Sequence, residues 1–344
     1  MKITRFVRRV LALALVPAAC LSLSARADVH VLDDAASPVQ VSFDDATGRM
    51  TVNVKATGTT WNQGTSGGQS WLLSGSVSQP DGLNLSVPAL INSVPMTVGL
   101  QLEPASGELR VTLDNPAAGV AGSGIVYPYP FFTDSGDGYA ICPVNSGYVV
   151  PTSDLSMPGK FGPIANRHME FVGGSDATNH ESWIGIIETP FDKNLSLSTF
   201  TVGGNQRVGI APLWQGSNNN ATHTPNLLSY DRVVRYHFVT CGGYVAVAKR
   251  FRKYAESQGW VKTLAEKIAE NPAVLDVIGA PIIYLWGDGH DTAFLDELKS
   301  AGIDRALLQV SVNHTDEFGR FPNQQFADGS GWFDAVRAHG YRGG

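Results

Sequence analysis

The sequence is poor in cysteine and in charge, and it has no long apolar run after residue 27. Cysteine occurs three times, and only Cys142 and Cys241 lie outside the leader described below. Neither sits in a C-x-x-C or Cys/His spacing, which excludes a zinc ribbon and a thioredoxin-like redox motif. Charged residues make up 16% of the chain and the formal net charge is −6. No basic stripe is available to neutralise phosphates, so nucleic acid is not an expected partner. No later segment approaches the ~20 apolar residues of a permanent membrane span. A G-x-S-x-G elbow, a Walker loop and an H-E-x-x-H motif are all absent. His180-Glu181 comes nearest to the last, but Ile184 stands where the second zinc-binding histidine is needed. The eight histidines are scattered, and no cofactor or metal site is expected. An Asp-rich loop leaves room for calcium without requiring it.

What is present begins with a leader. Lys2, Arg5, Arg8 and Arg9 form a positive n-region, Val10 to Leu23 is apolar, and Ala25-Arg26-Ala27 is an A-x-A cleavage site before Asp28. Residues 1–27 are therefore expected to be a signal peptide, and the protein to be secreted or periplasmic. Pro17-Ala18-Ala19-Cys20 loosely resembles a lipoprotein box, which offers lipid anchoring at Cys20 as the less favoured alternative. In an oxidising compartment Cys142 and Cys241 either pair or stay as two thiols that never meet. A bridge closing so long a loop would add about 4–5 kcal/mol.

Glycine is abundant, at 37 residues, and short alternating runs fill residues 28–241. Val39-Gln40-Val41-Ser42-Phe43 and Met50-Thr51-Val52-Asn53-Val54 alternate strictly about an Asp45-Ala46-Thr47-Gly48 turn. Met96–Leu102, Leu109–Leu113, Trp183–Glu188 and Val233–Phe238 read the same way. Strands at this spacing without a helix predict a large two-sheet sandwich. The period then changes. Residues 242–278 read as a helical connector, with apolar positions Val245, Val247, Ala248, Phe251 and Tyr254 and a stop at Gly259.

Residues 279–344 begin a different pattern. Ala280–Trp286 is a short apolar run closed by Gly287-Asp288-Gly289, as in a buried parallel strand. Phe294, Leu295 and Leu298 then recur at helical spacing, Arg305–Val312 is a second strand, and Trp332, Phe333 and Val336 mark a second helix. This is βαβα, the start of a (β/α) barrel that needs roughly 250 residues to close. The chain is expected to be intact at its front and to stop short of that closure.

The loops after parallel strands carry the substrate groups of such barrels. Strand one leads to Trp286, Asp288 and His290, and strand two to Asn313 and His314, followed by Asp316 and Glu317. Indole stacks on the apolar face of a sugar, while carboxylate and imidazole bond its hydroxyls. The competing reading packs Trp286 into the barrel rim and uses Asp288 to cap the next helix. Asp316 and Glu317 read as a solvated loop, and no pair of these carboxylates is nominated as a glycosidase acid and base. In the sandwich, Tyr127–Phe132, Trp183 and Trp214 form either a sugar platform or an interface filling. A small mutarotase-type site would need one His and one acidic residue converging in a sandwich cleft, with His168, Glu170, His180 and Glu181 as the candidates.

Several segments in order resemble the secreted glycoside hydrolases related to endo-α-N-acetylgalactosaminidases. They are Ile125–Phe131, Tyr139–Gly147, Ile186–Pro190 and Gly279–Asp288. The resemblance covers residues 120–344. It implies a multi-domain β plus α/β fold: a galactose-mutarotase-like β-sandwich followed by the first βαβα units of an incomplete (β/α)8 TIM barrel. It also implies cleavage of α-linked N-acetylgalactosamine from O-glycans, with retention, by an Asp nucleophile and a Glu acid/base. In that family both carboxylates lie on middle barrel strands, which here would fall beyond Gly344, so no catalytic residue is assigned. The alternative is a non-catalytic carbohydrate-binding sandwich. In both cases the partner is a carbohydrate.

Overall fold

The computed structural model describes residues 28–114, 124–134, 137–144, 147–160, 164–165, 169–178, 180–190, 193–214, 230–286, 292–311 and 332–343. The chain forms two compact units, Met1–Tyr254 and Ala255–Gly344.

The first unit is antiparallel throughout. A nine-stranded sheet runs in the order Tyr148–Pro151, Gly138–Cys142, Phe171–Asp176, Ser182–Ile187, Arg232–Val239, Leu109–Asp114, Val94–Leu102, Asn84–Ile91, Trp71–Leu73. A five-stranded sheet orders Val29–Leu32, Val39–Asp44, Arg49–Val54, Thr59–Gln63 and Phe131–Thr133. Side chains alternate across each pleat. Val39, Val41 and Phe43 therefore point into the core with Met50, Val52 and Val54, while Leu85, Val87, Ala89 and Ile91 do so from the large sheet.

The expected two-sheet sandwich carries a third sheet. The ten-residue strands Lys193–Val202 and Asn205–Trp214 form a long hairpin, extended by Ile125–Val126, Ile164–Ala165 and Thr65–Ser66. Those partners come from distant segments, so the alternation pattern holds no trace of the pairing. The stretch from Ile125 to Thr133 stitches the sheets together. It starts against Asn205–Trp214 and ends against Thr59–Gln63.

Its aromatic residues, with Trp183 and Trp214, fill the core of the sandwich itself. Tyr127, Tyr129, Phe131, Phe132, Trp183 and Trp214 are all buried. Trp183 donates its indole N–H to the Phe131 carbonyl at 2.9 Å, and Trp214 donates to the Tyr127 carbonyl at 2.6 Å. A sugar platform needs exposed rings, so these residues do not form one.

Gly174 makes room for one of these indoles. A Cβ at Gly174 would lie 2.5 Å from Trp183 Nε1. Gly174→Ala is expected to destabilise the sandwich by about 1–3 kcal/mol through overpacking. A fall in the urea midpoint checks this, and an unchanged midpoint would show that the indole can shift freely.

The helix Gly243–Ser257 seats Val247 and Phe251, with Tyr254, on Ile141, Phe171, Ile184 and Ile186 of the large sheet's outer face. The apolar face of this helix thus belongs to the sandwich unit, which runs on through Tyr254. Cys142 and Cys241 are free thiols, one buried and one exposed. Strand register explains why they do not bridge. Followed across the large sheet, Cys241 is level with Asp137, three strands away from Cys142 and at the opposite end of its strand. That is about 17 Å along the strand axis alone, far beyond disulfide reach. Burial pushes the Cys142 thiol up to about 12.

The second unit opens with the helix Leu264–Glu270. Thr263 caps it in a reciprocal capping box with Glu266. The strands Ile282–Trp286, Leu307–Ser311 and Arg342–Gly343 are parallel and ordered in sequence, with helices Ala293–Ser300 and Trp332–Ala338 between them. The third strand is a backbone pairing that the residues Arg342-Gly343 do not announce. Leu295, Leu298, Ala306, Leu308, Val336 and Tyr341 form the core, with Ile283 packed against it. On the first strand Ile282 stays 67% exposed and Tyr284 45% exposed. Among the described residues, no helix is long and apolar enough to cross a membrane.

Candidate functional site

The parallel unit places its first two strand ends side by side. Ile282 pairs with Leu307 and Trp286 with Ser311, so both chains leave the sheet at one edge, about 4.8 Å apart. Loops from the carboxyl ends of adjacent parallel strands are where α/β folds bind ligands. The segments that hold Asp288 and His290, and Asn313 and His314, follow these two ends. Asp288, His290, Asn313 and His314 lie outside the described residues. Trp286 is placed by its backbone, as the last residue of the first strand.

The sandwich unit holds a polar groove that sequence reasoning missed. Its floor is Arg49, Asn62, Thr133 and Asp134 of the five-stranded sheet, and its wall is Val202, Gly203, Asn205 and Arg207 of the long hairpin. The cavity measures 320 Å³. Gly203 and Gly204 both have positive φ, 54° and 81°, which lets the hairpin turn in two residues. On the floor, Asn62 donates to Asp134 Oδ1 at 2.8 Å and accepts from the Thr51 hydroxyl at 3.1 Å. Gln63 is locked below, donating to the Tyr129 carbonyl and accepting from the Met50 N–H. Amide, carboxylate and guanidinium groups on a fixed floor suit a polyhydroxylated ligand. The Val202-Gly203-Gly204-Asn205 turn is readable as a hairpin. Its position over the other sheet is not.

The four candidates for a mutarotase-type site do not all meet in one place. Glu170 and Glu181 sit at opposite ends of the hairpin of strands Phe171–Asp176 and Ser182–Ile187. Ile187 N–H bonds the Glu170 carbonyl, and Asp176 N–H bonds the Glu181 carbonyl. About six strand residues, roughly 20 Å, separate them. Glu170 is taken up by an ion pair with the buried Lys193. His168 lies outside the described residues.

A second charged cluster ties the first helix to the large sheet. Glu108 accepts from Arg250 of the helix and from Arg235 at 3.3 Å, and Arg235 also donates to Glu188 at 2.6 Å. Burial, with the positive charge of Arg250 nearby, holds the His237 imidazole below its ordinary pKa. These carboxylates are engaged by arginines, and the cluster reads as a structural clamp. Among the described residues no His/Cys/Asp/Glu group is arranged to hold a metal ion.

No protein-family model matches the sequence, and no curated protein matches it either. Solved structures do match, and this chain shares their fold. The α-N-acetylgalactosaminidase NagBb from Bifidobacterium bifidum, ligand-free, aligns with a TM-score of 0.62 at 17% identity, over 89% of this chain and 57% of its own. NagBb in its GalNAc complex aligns with the same values. NagBb in its Gal-NHAc-DNJ complex aligns with a TM-score of 0.61 at 18% identity. At this identity the likeness is one of fold, and the chain spans little more than half the length of that enzyme.

Proposed function

We propose that this chain is the N-terminal portion of an exported glycoside hydrolase acting on α-linked N-acetylgalactosaminides of O-glycans. Residues 1–27 serve as its signal peptide. Residues 28–241 form a galactose-mutarotase-like sandwich, and residues 279–344 supply the first units of a (β/α) barrel. The observation that carries the reading is the extent of the fold likeness. A match over 89% of 344 residues is longer than the first unit, so it takes in part of the parallel unit too. The first strand supports it. Parallel sheets are covered on both faces, yet Ile282 is 67% exposed.

In this reading Trp286, Asp288, His290, Asn313 and His314 contact the sugar at the barrel rim. The nucleophile and acid/base are carboxylates supplied by sequence beyond residue 344, acting by double displacement. The test compares the 344-residue chain with a longer product of the same reading frame on p-nitrophenyl α-N-acetylgalactosaminide. The longer product hydrolyses it with retention and the 344-residue chain does not. Hydrolysis by the shorter chain, or inactivity of both, overturns the reading.

The groove over Asn62 and Asp134 favours a second reading, a carbohydrate-binding sandwich without catalysis. Glycan-array binding by residues 28–344 that falls about tenfold in Asn62→Ala, the loss of one or two polar contacts, would support it. Undiminished binding would dismiss the groove.

A further inference from the structure

Asp45 is buried, with its side chain 3% exposed. Its Oδ2 lies 3.0 Å from His30 Nε2, and its Oδ1 accepts the backbone N–H of Asp28 at 2.9 Å. The Asp45 N–H returns a bond to the Asp28 carbonyl at 3.2 Å. Trp71 fixes the Asp45 carbonyl from the other side at 2.8 Å. Among the described residues, no lysine or arginine lies within ion-pair distance of Asp45, and His30 is a cation only when protonated. A buried carboxylate facing an amide and an imidazole is undercompensated.

Asp28 is also the residue that follows the A-x-A cleavage site. We propose that Asp45 is the receptor for the new α-ammonium group released when the leader is cut between Ala27 and Asp28. The step is a hydrolysis. One water is consumed, the Ala27–Asp28 peptide bond breaks, and Ala27 leaves as a carboxylate. The Asp28 nitrogen becomes an amine that takes up a proton, since an α-amino group ordinarily titrates at about 7.7–8.0. A hydrogen bond from an uncharged amide to the carboxylate thereby becomes an ion pair on a buried acceptor. It pins the first strand, Val29–Leu32, to the sheet edge. The precursor lacks this pair and stays easier to unfold, as passage through a membrane requires, and the processed chain gains it afterwards. The inference rests on the signal-peptide reading.

Two forms released from one fusion test it. One begins at Asp28, and the other carries Gly-Ser before Asp28. The first melts about 4 °C higher, and in Asp45→Asn the two melt together. Equal melting in the native sequence, or a difference that survives Asp45→Asn, overturns the docking. Should Asp45→Asn not fold, Nα-acetylation of the form beginning at Asp28 must erase its advantage, and failure to do so overturns the docking equally. Mass spectrometry of the exported protein separates the two premises. A first residue other than Asp28, Cys20 included, overturns the cleavage reading whatever the melting data show. An Asp28 start without a melting difference overturns the docking alone.

Discussion

Trp183→Ala leaves the sandwich unfolded, or folded only marginally, at room temperature. The indole is 1% exposed and packs against Phe131 and Tyr236 at ring-centroid distances of 5.7 and 5.9 Å. Truncating a buried tryptophan costs about 3–5 kcal/mol in transfer and cavity terms. Its N–H also satisfies the Phe131 carbonyl at 2.9 Å, and orphaning that acceptor adds about 1 kcal/mol or more. The sum is comparable to the 5–15 kcal/mol by which most domains are stable. Equilibrium urea unfolding reads the loss. Trp183→Phe, which keeps a ring in place and forfeits the hydrogen bond, is expected to cost about half as much. If Trp183→Ala melts like the native chain, the aromatic cluster is not what joins the sheets.

The second large effect concerns the rim of the parallel sheet. In the longer, active product, Asp288→Ala is expected to lower kcat/KM about 10- to 100-fold. That corresponds to losing one hydrogen bond from a charged group to a sugar hydroxyl, about 1.5–3 kcal/mol. A loss confined to KM would mark Asp288 as a group that holds substrate and transition state alike. Asp316→Ala, on the loop read as solvated, is expected to change kcat/KM by less than about twofold, as for surface substitutions away from a site. Equal losses in the two variants would show that the site was misplaced. Unchanged kinetics in Asp288→Ala would remove that residue from the site.

The strands with strict alternation were legible because their signal is local. Val39–Asp44 and Arg49–Val54 bury every second side chain, as the residues require. The helix Gly243–Ser257 is likewise written in the spacing of its apolar residues. The aromatic run Tyr127–Phe132 was legible as a cluster and not as a location. Nothing in the residues says whether these four aromatics line a cleft or fill a core, since burial depends on which distant strands close over them. The same limit applied to the thiols. Two cysteines look eligible to pair until register puts them at opposite ends of the large sheet.

By itself the sequence determined the broad order of this protein: a long β region of short alternating strands, then a change to βα units. Those features follow from composition and from periods of 2 and 3.6 residues, which each short segment carries alone. Only the tertiary structure decided that a third sheet exists, that the polar groove lies under the Val202–Asn205 turn, and that Asp45 waits beside Asp28. Each of these joins residues far apart in the chain. Their contact is fixed by strand order and register, and no local pattern encodes either.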